Sequence, residues 1–144
     1  MKILVTGGAG FIGSNFIHYI LGKDPQIEVL NFDDLAYSGN LDNLRDVESD
    51  GRYSFVKGNI VDKKKLFDTL DLFGPDYIIN FAAETHVDRS IHVGAESFIK
   101  TNIWGPFNFL EYIKDRPVKK YVQVSTDEVF GSLELDSKEK FTET

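Results

Sequence analysis

The chain has 144 residues, 16 Lys and Arg against 23 Asp and Glu, a net charge of −7, 12 Phe and no cysteine. That length suits one domain with a real core, and the apolar content argues against disorder. The acidity argues against a nucleic-acid surface; the missing cysteines exclude disulfides, thiolate metal sites and cysteine catalysis, and fit a cytoplasmic location.

The first element is a strand, Ile3–Thr6, reached directly from Met1-Lys2, so no signal peptide is expected. Strand and helix are joined by Thr6-Gly7-Gly8-Ala9-Gly10-Phe11-Ile12-Gly13-Ser14. The helix, Gly10–Leu21, carries Phe11, Ile12, Phe16, Ile17 and Ile20 at helical spacing. Gly7, Gly10 and Gly13 form G-x-x-G-x-x-G: one glycine for the tight turn, one for close approach of backbone to a pyrophosphate, one for helix packing. The helix N-terminus then offers N–H groups to phosphate.

The second strand is Glu28–Asp33, and Asp33 falls twenty residues after Gly13. A carboxylate there accepts from the adenosine ribose hydroxyls of a dinucleotide. Asp33 and Asp34 would repel a ribose phosphate, and no Arg occupies positions 34 to 37, so NAD is favoured over NADP. Asp34 is either a second contact or a solvent-facing turn residue. A short helix is expected after Asn40.

Strand three is Tyr53–Lys57, followed by helix Lys63–Phe73, closed by Gly74-Pro75. Strand four is Tyr77–Ala82. The longest helix, Glu96–Asp115, places Phe98, Ile99, Ile103, Phe107, Leu110 and Ile113 at helical spacing. Strand five is Tyr121–Ser125, and Ser132–Thr144 reads as a polar, loosely ordered tail. No apolar run reaches the length of a membrane span. Nearly continuous apolar strands alternating with helices predict an α/β, doubly wound parallel sheet of Rossmann type. The expected strand order is 3-2-1-4-5.

Asp127 and Glu128 follow strand five at the carboxyl edge, where such sheets bind ligands. One carboxylic acid can protonate a leaving hydroxyl while its neighbour takes a proton from carbon, which is the equipment for eliminating water. The competing reading is a solvated acidic turn. His86, Asp88 and His92 match no common metal spacing, so no metal is expected. Arg89 either binds a phosphate or pairs with Asp88 or Glu84. Lys114–Lys120 reads as a helix-to-strand connection.

Further segments are Asp33-Asp34-Leu35-Ala36-Tyr37-Ser38-Gly39-Asn40, Gly58-Asn59-Ile60, Phe81-Ala82-Ala83-Glu84-Thr85-His86-Val87-Asp88-Arg89-Ser90 and Ser125-Thr126-Asp127-Glu128-Val129-Phe130-Gly131. With the glycine turn, they resemble the extended short-chain dehydrogenase/reductase superfamily, and within it the dTDP-glucose 4,6-dehydratase family. The resemblance spans the chain. It implies that Phe11 and Ile12 sit under the cofactor, that Asp33, Asp34, Leu35 and Ala36 hold the adenosine side, and that Asn59 and Ile60 flank the adenine. Phe81, Ala82, Ala83, Glu84 and Thr85 would line the nicotinamide half, Thr85 also reaching the sugar, and Thr101 would contact the cofactor from the long helix. Thr126 would bond the hexose, with Asp127 as acid and Glu128 as base. The substrate would be a nucleotide sugar and the full-length protein a homodimer.

Asn59 stands where the family usually has Asp, and Phe130 where it has Tyr. The superfamily's Tyr-x-x-x-Lys pair should follow strand five. Only Tyr19–Lys23 and Tyr53–Lys57 match that spacing here, on helix one and on a strand, and neither can meet the nicotinamide. The resemblance therefore implies an incomplete cofactor domain over residues 1–144. It would lack the later strands and the C-terminal substrate domain, be inactive alone, have strand five uncovered, and tend to self-associate. A nucleotide-sugar epimerase or decarboxylase of the same superfamily, and a non-catalytic dinucleotide-binding fragment, remain alternatives.

Overall fold

The computed structural model describes residues 1–86, 88, 91 and 94–143. The strands are β1 (Lys2–Thr6), β2 (Glu28–Asp33), β3 (Tyr53–Lys57), β4 (Tyr77–Asn80) and β5 (Lys120–Gln123). All pair in parallel, in the order β3-β2-β1-β4-β5, as expected. Helices with described bounds are α1 (Phe11–Lys23), α2 (Lys63–Phe73), α3 (Glu96–Ile99) and α4 (Gly105–Asp115).

β1 and β2 are apolar on both faces because both faces are covered. Ile3, Val5 and Val29 pack with Ile17, Ile20 and Leu21 of α1. Leu4, Leu30, Phe32 and Ile78 pack with Leu66 and Leu70 of α2 and Phe109 and Tyr112 of α4. Each such side chain, fully buried, stabilises the fold by about 1.5–3 kcal/mol. α2 is delimited by side-chain chemistry: Asp62 accepts from the Lys65 N–H, and Gly74 ends the helix at φ 61 with its N–H on the Leu70 carbonyl.

Several boundaries differ from the sequence reading: β1 starts at Lys2 rather than Ile3, and α1 runs Phe11–Lys23 rather than Gly10–Leu21. β4 stops at Asn80, not Ala82, because its partner β1 leaves extended backbone at Gly7, whose φ is +67. β5 runs Lys120–Gln123, since only the Val124 N–H still finds a carbonyl, that of Asn80, at 3.1 Å. The segment after Asn40 is a 3-10 turn, Leu41–Leu44, capped by the Asn40 side chain. The expected long helix is helical throughout, but its middle, Lys100–Trp104, is a π turn between α3 and α4.

β5 forms one edge of the sheet, and Ile99, Ile103, Phe107 and Leu110 stand exposed along the outer side of the long helix. Residues 132–143 form no helix or strand, though Phe141 stacks on Phe130 at 5.8 Å. No helix among the described residues is long and apolar enough to cross a membrane.

Candidate functional site

A cleft of about 400 Å³ opens at the carboxyl ends of the strands, over the turn between β1 and α1. There β2 lies to one side of β1 and β4 to the other, the switch point at which doubly wound sheets bind ligands.

The turn is built from backbone. A Cβ at Gly7 would lie 2.7 Å from the Ala82 nitrogen, and one at Gly13 would lie 2.3 Å from the Gly7 carbonyl oxygen. Only Gly7 O, at 3.3 Å, approaches the corresponding point at Gly10, so backbone there faces the cleft. Gly8, which the motif left unassigned, is equally constrained: its Cβ would lie 2.3 Å from Asn31 Oδ1. α1 starts with no side-chain cap and no acidic residue in its first turn, leaving its leading N–H groups available to phosphate.

Asp33 is 8% exposed, and its carboxylate clamps the turn. Oδ2 accepts from the Ala9 N–H at 2.9 Å and Oδ1 from the Leu35 N–H at 2.8 Å. A carboxylate has about four acceptor positions, so two are left unused by these bonds. Asp34 and Ala36 line the cleft, but Leu35 does not. Leu35 is bent into the left-handed region at φ 54 and contributes its backbone N–H to Asp33. Tyr37, Ser38 and Gly39 also line the cleft, and the Tyr37 hydroxyl reaches Thr85 Oγ1 at 3.3 Å across its mouth.

Asn59 and Ile60 form the wall beyond β3. The Asn59 amide is engaged within the protein: its Nδ2 donates to Asp34 Oδ2 at 2.8 Å, and its Oδ1 accepts from the Val61 N–H at 2.9 Å. α4 positions this wall, since Asn108 Nδ2 donates to the Ile60 carbonyl at 2.9 Å and Gly105 admits the Ile60 side chain.

The opposite wall is Phe81, Ala82, Ala83, Glu84 and Thr85, with Thr101 from the π turn. Asn102 pins it at two points: the Glu84 N–H donates to Asn102 Oδ1, and Asn102 Nδ2 donates to the Glu84 carbonyl, both at 2.8 Å. π turns often mark functional sites, and this one sets Thr101 against the cleft while Asn102 holds the loop. Glu84 Oε2 is buried with no hydrogen-bond partner among the described residues. Asn102 and Asn108 were not recognised from sequence. The only available signal was two amides, poor helix formers, inside an apolar helical pattern.

Thr6, Asn80 and Gln123 occupy one row across β1, β4 and β5. Thr6 donates to Asn80 Oδ1, and Asn80 Nδ2 donates to Gln123 Oε1 at 2.8 Å. Burial pushes Tyr121 up to about 12, so its hydroxyl stays protonated and also donates to Gln123. Past this row, Val124, Ser125 and Thr126 line the cleft.

Asp127 and Glu128 do not line it; they sit just beyond, on an exposed 3-10 turn, Asp127–Phe130. The Thr126 side chain beside Glu128 holds that carboxyl below its ordinary value, so it is ionised at neutral pH. Among the described residues no group of His, Asp and Glu is arranged to hold a metal. The readings of Arg89 and His92 lie outside the described residues.

The model of one family, described as GDP-mannose 4,6 dehydratase, matches residues 4–144. The chain belongs to that family. A probable dTDP-glucose 4,6-dehydratase of Sinorhizobium fredii is 45% identical over 142 residues, covering 92% of this chain and 40% of that one. The crystal structure of dTDP-glucose 4,6-dehydratase from Bacillus anthracis in complex with NAD superposes with a TM-score of 0.84 at 45% identity, covering 97% of this chain and 42% of that one. The dTDP-glucose 4,6-dehydratase of Streptomyces venezuelae, also with NAD bound, gives 0.84 at 48% identity, covering 93% and 42%. The chain thus spans about two fifths of the length of these relatives.

Proposed function

We propose that residues 1–144 are the cofactor-binding portion of a cytoplasmic, NAD-dependent nucleotide-sugar 4,6-dehydratase that converts dTDP-glucose to a 4-keto-6-deoxy sugar. In full-length form we expect a homodimer with no nucleic-acid partner. The observation that carries the reading is Asp33, buried against the glycine turn with two acceptor positions left at the cleft.

The residues present fit a dinucleotide. Gly7, Gly10 and the start of α1 offer backbone to the phosphates, and Asp33 offers acceptors to ribose hydroxyls. Phe11 and Ile12 are exposed apolar side chains at the cleft, suited to lie beneath the cofactor. NAD when bound would supply the acceptor for hydride from the hexose carbon 4.

The chain's own residues would handle protons. Glu128, kept ionised beside Thr126, is suited to take a proton from carbon 5. Asp127 would protonate the hydroxyl leaving carbon 6. Thr126, at the cleft wall, would fix the hexose by its hydroxyl. An adjacent acid and base favour dehydration over epimerisation, which needs no leaving water.

Calorimetric titration tests the binding half. NAD should bind, and Asp33→Ala should weaken it by about 1.5–3 kcal/mol through loss of charge-assisted contacts. Absence of NAD binding by the unaltered protein would overturn the reading. Incubating the full-length enzyme with dTDP-glucose tests the substrate, and failure to form the keto-deoxy sugar would refute it.

A further inference from the structure

Two successive carboxylates stand at the adenosine end of the cleft, and their surroundings differ. Both oxygens of Asp33 are engaged by backbone N–H groups, so its charge is fixed within the turn. Asp34 is exposed. An exposed aspartate on a loop ordinarily changes rotamer freely, and solvent and salt screen its charge. Here it is tied down, because Asn59 Nδ2 donates to Asp34 Oδ2 at 2.8 Å.

Asn59 is itself held. Its Oδ1 accepts from the Val61 N–H at 2.9 Å, which leaves only the amide nitrogen to face the carboxylate. The segment beneath is fixed in turn, since Asn108 Nδ2 donates to the carbonyls of Ile60, at 2.9 Å, and Val61, at 3.4 Å. A hydrogen-bonded chain therefore runs from α4, through the loop after β3, to the Asp34 carboxylate.

Resting on the reading that the cleft takes a dinucleotide, we propose that Asn59 is a specificity-determining residue, which tethers Asp34 at the cleft rim so that a phosphate on the adenosine ribose is rejected. Asp33, Asp34 and Asn59 line the same cleft, and no Lys or Arg among the described residues lines it. A ribose phosphate adds up to about two negative charges and would find no cation. A mobile carboxylate would rotate away from that phosphate at little cost; a tethered one must be met. Aspartate at position 59 would keep the acceptor for Val61 but set a second carboxylate against Asp34 and drive it outward. The amide nitrogen is thus the atom that matters.

The test is the ratio of dissociation constants for NADP and NAD, measured by calorimetry on the protein and its variants. The unaltered protein should prefer NAD by at least about tenfold, and Asp34→Asn should reduce that preference by about three- to tenfold. Asn59→Ala should reduce it by a similar factor while changing NAD affinity less. The double variant should go no further than Asp34→Asn alone, because the tether then has nothing charged to hold. Asn59→Asp, which preserves the Val61 contact and so guards against loss of folding, should not raise the preference despite its added negative charge. An unchanged ratio in Asn59→Ala, independent losses in the double variant, or a raised preference in Asn59→Asp would each overturn the tether. Any of these alongside normal NAD binding refutes this inference alone. Failure of NAD to bind at all refutes the functional reading beneath it.

Discussion

The two ends of the cleft are built to different standards. At the end beside β2, β1 and β2 are buried almost throughout, and Asn31 and Asp33 are enclosed with them. Asp33, Asn59 and Asn108 each make at least two hydrogen bonds to neighbouring loops or strands. At the other end, β5 is mostly exposed, and Asp127 and Glu128 project from an exposed turn outside the cleft. On the proposed reading, holding a cofactor and performing acid–base work would therefore be separable properties. The residues proposed for the first are embedded in the core of the fold, and those proposed for the second stand at its edge.

The largest effect should come from the exposed end. In the full-length enzyme, Asp127→Asn and Glu128→Gln should each slow elimination by ~10²–10⁴, the usual contribution of a positioned acid or base. Stability should change little, because neither group is buried. Rapid-mixing absorbance should show reduced cofactor accumulating while product lags. Slowed cofactor reduction with normal elimination would reverse the assignment.

Substitution at the packed end should reduce stability and binding together. Gly7→Ala requires a Cβ at φ +67, 2.7 Å from the Ala82 nitrogen. Such strain costs about 1–3 kcal/mol, readable in urea denaturation, and NAD affinity should fall with it. If the variant kept full stability and affinity, the cofactor end would not depend on the core as described.

The smallest effect concerns how β5 is attached. Asp76 accepts from the Lys2 N–H through its side chain and from the Lys119 N–H through its carbonyl, each at 2.8 Å, and its carboxylate pairs with the Lys119 ammonium at 2.8 Å. The Lys119 ammonium first, and then the Lys2 N–H, hold the Asp76 carboxyl below its ordinary value. A carboxyl depressed in the folded state stabilises fully above its unfolded value of about 3.9, and that contribution is lost as pH falls through the lower folded value. Stability should therefore decline on acidification below about pH 4, and Asp76→Asn should flatten that part of the profile in urea titrations across pH. An unchanged acid slope in the variant would show that this attachment carries no linkage.

Much of this was legible in the residues, for identifiable reasons. Parallel strands covered on both faces leave nearly continuous apolar runs, which is why all five strands and their order could be read. The glycine turn was legible because backbone proximity admits no other residue at Gly7 or Gly13. Gly8 was not, because its constraint comes from Asn31 on another strand, which no local pattern reveals. The π turn was hidden for a related reason: Ile99, Ile103 and Phe107 keep helical spacing across Lys100–Trp104, so apolar periodicity does not register the wider turn. Leu35 was placed on the adenosine side by the resemblance, and no sequence pattern shows that its backbone turns left-handed and leaves it out of the cleft lining. Asn59 was expected from the resemblance to flank the adenine, and it does line the cleft; its bonds to Asp34 and Val61 were not legible, because those partners are fixed only by the fold.

The central position of β1 has a consequence for assembly. Its pairing with β2 joins residues 2–6 to 28–32, but its other edge waits for residues 77–80. Parallel pairings of such separation carry a loop-closure cost that local contacts do not, and they form slowly for that reason. As the chain lengthens from its N-terminus, the glycine turn and Asp33 can come together around β1 while β4 is still unmade. During that interval the α4 residues that position the Asn59–Ile60 wall are unmade as well, and the Gly7 backbone has nothing of Ala82 to rest against.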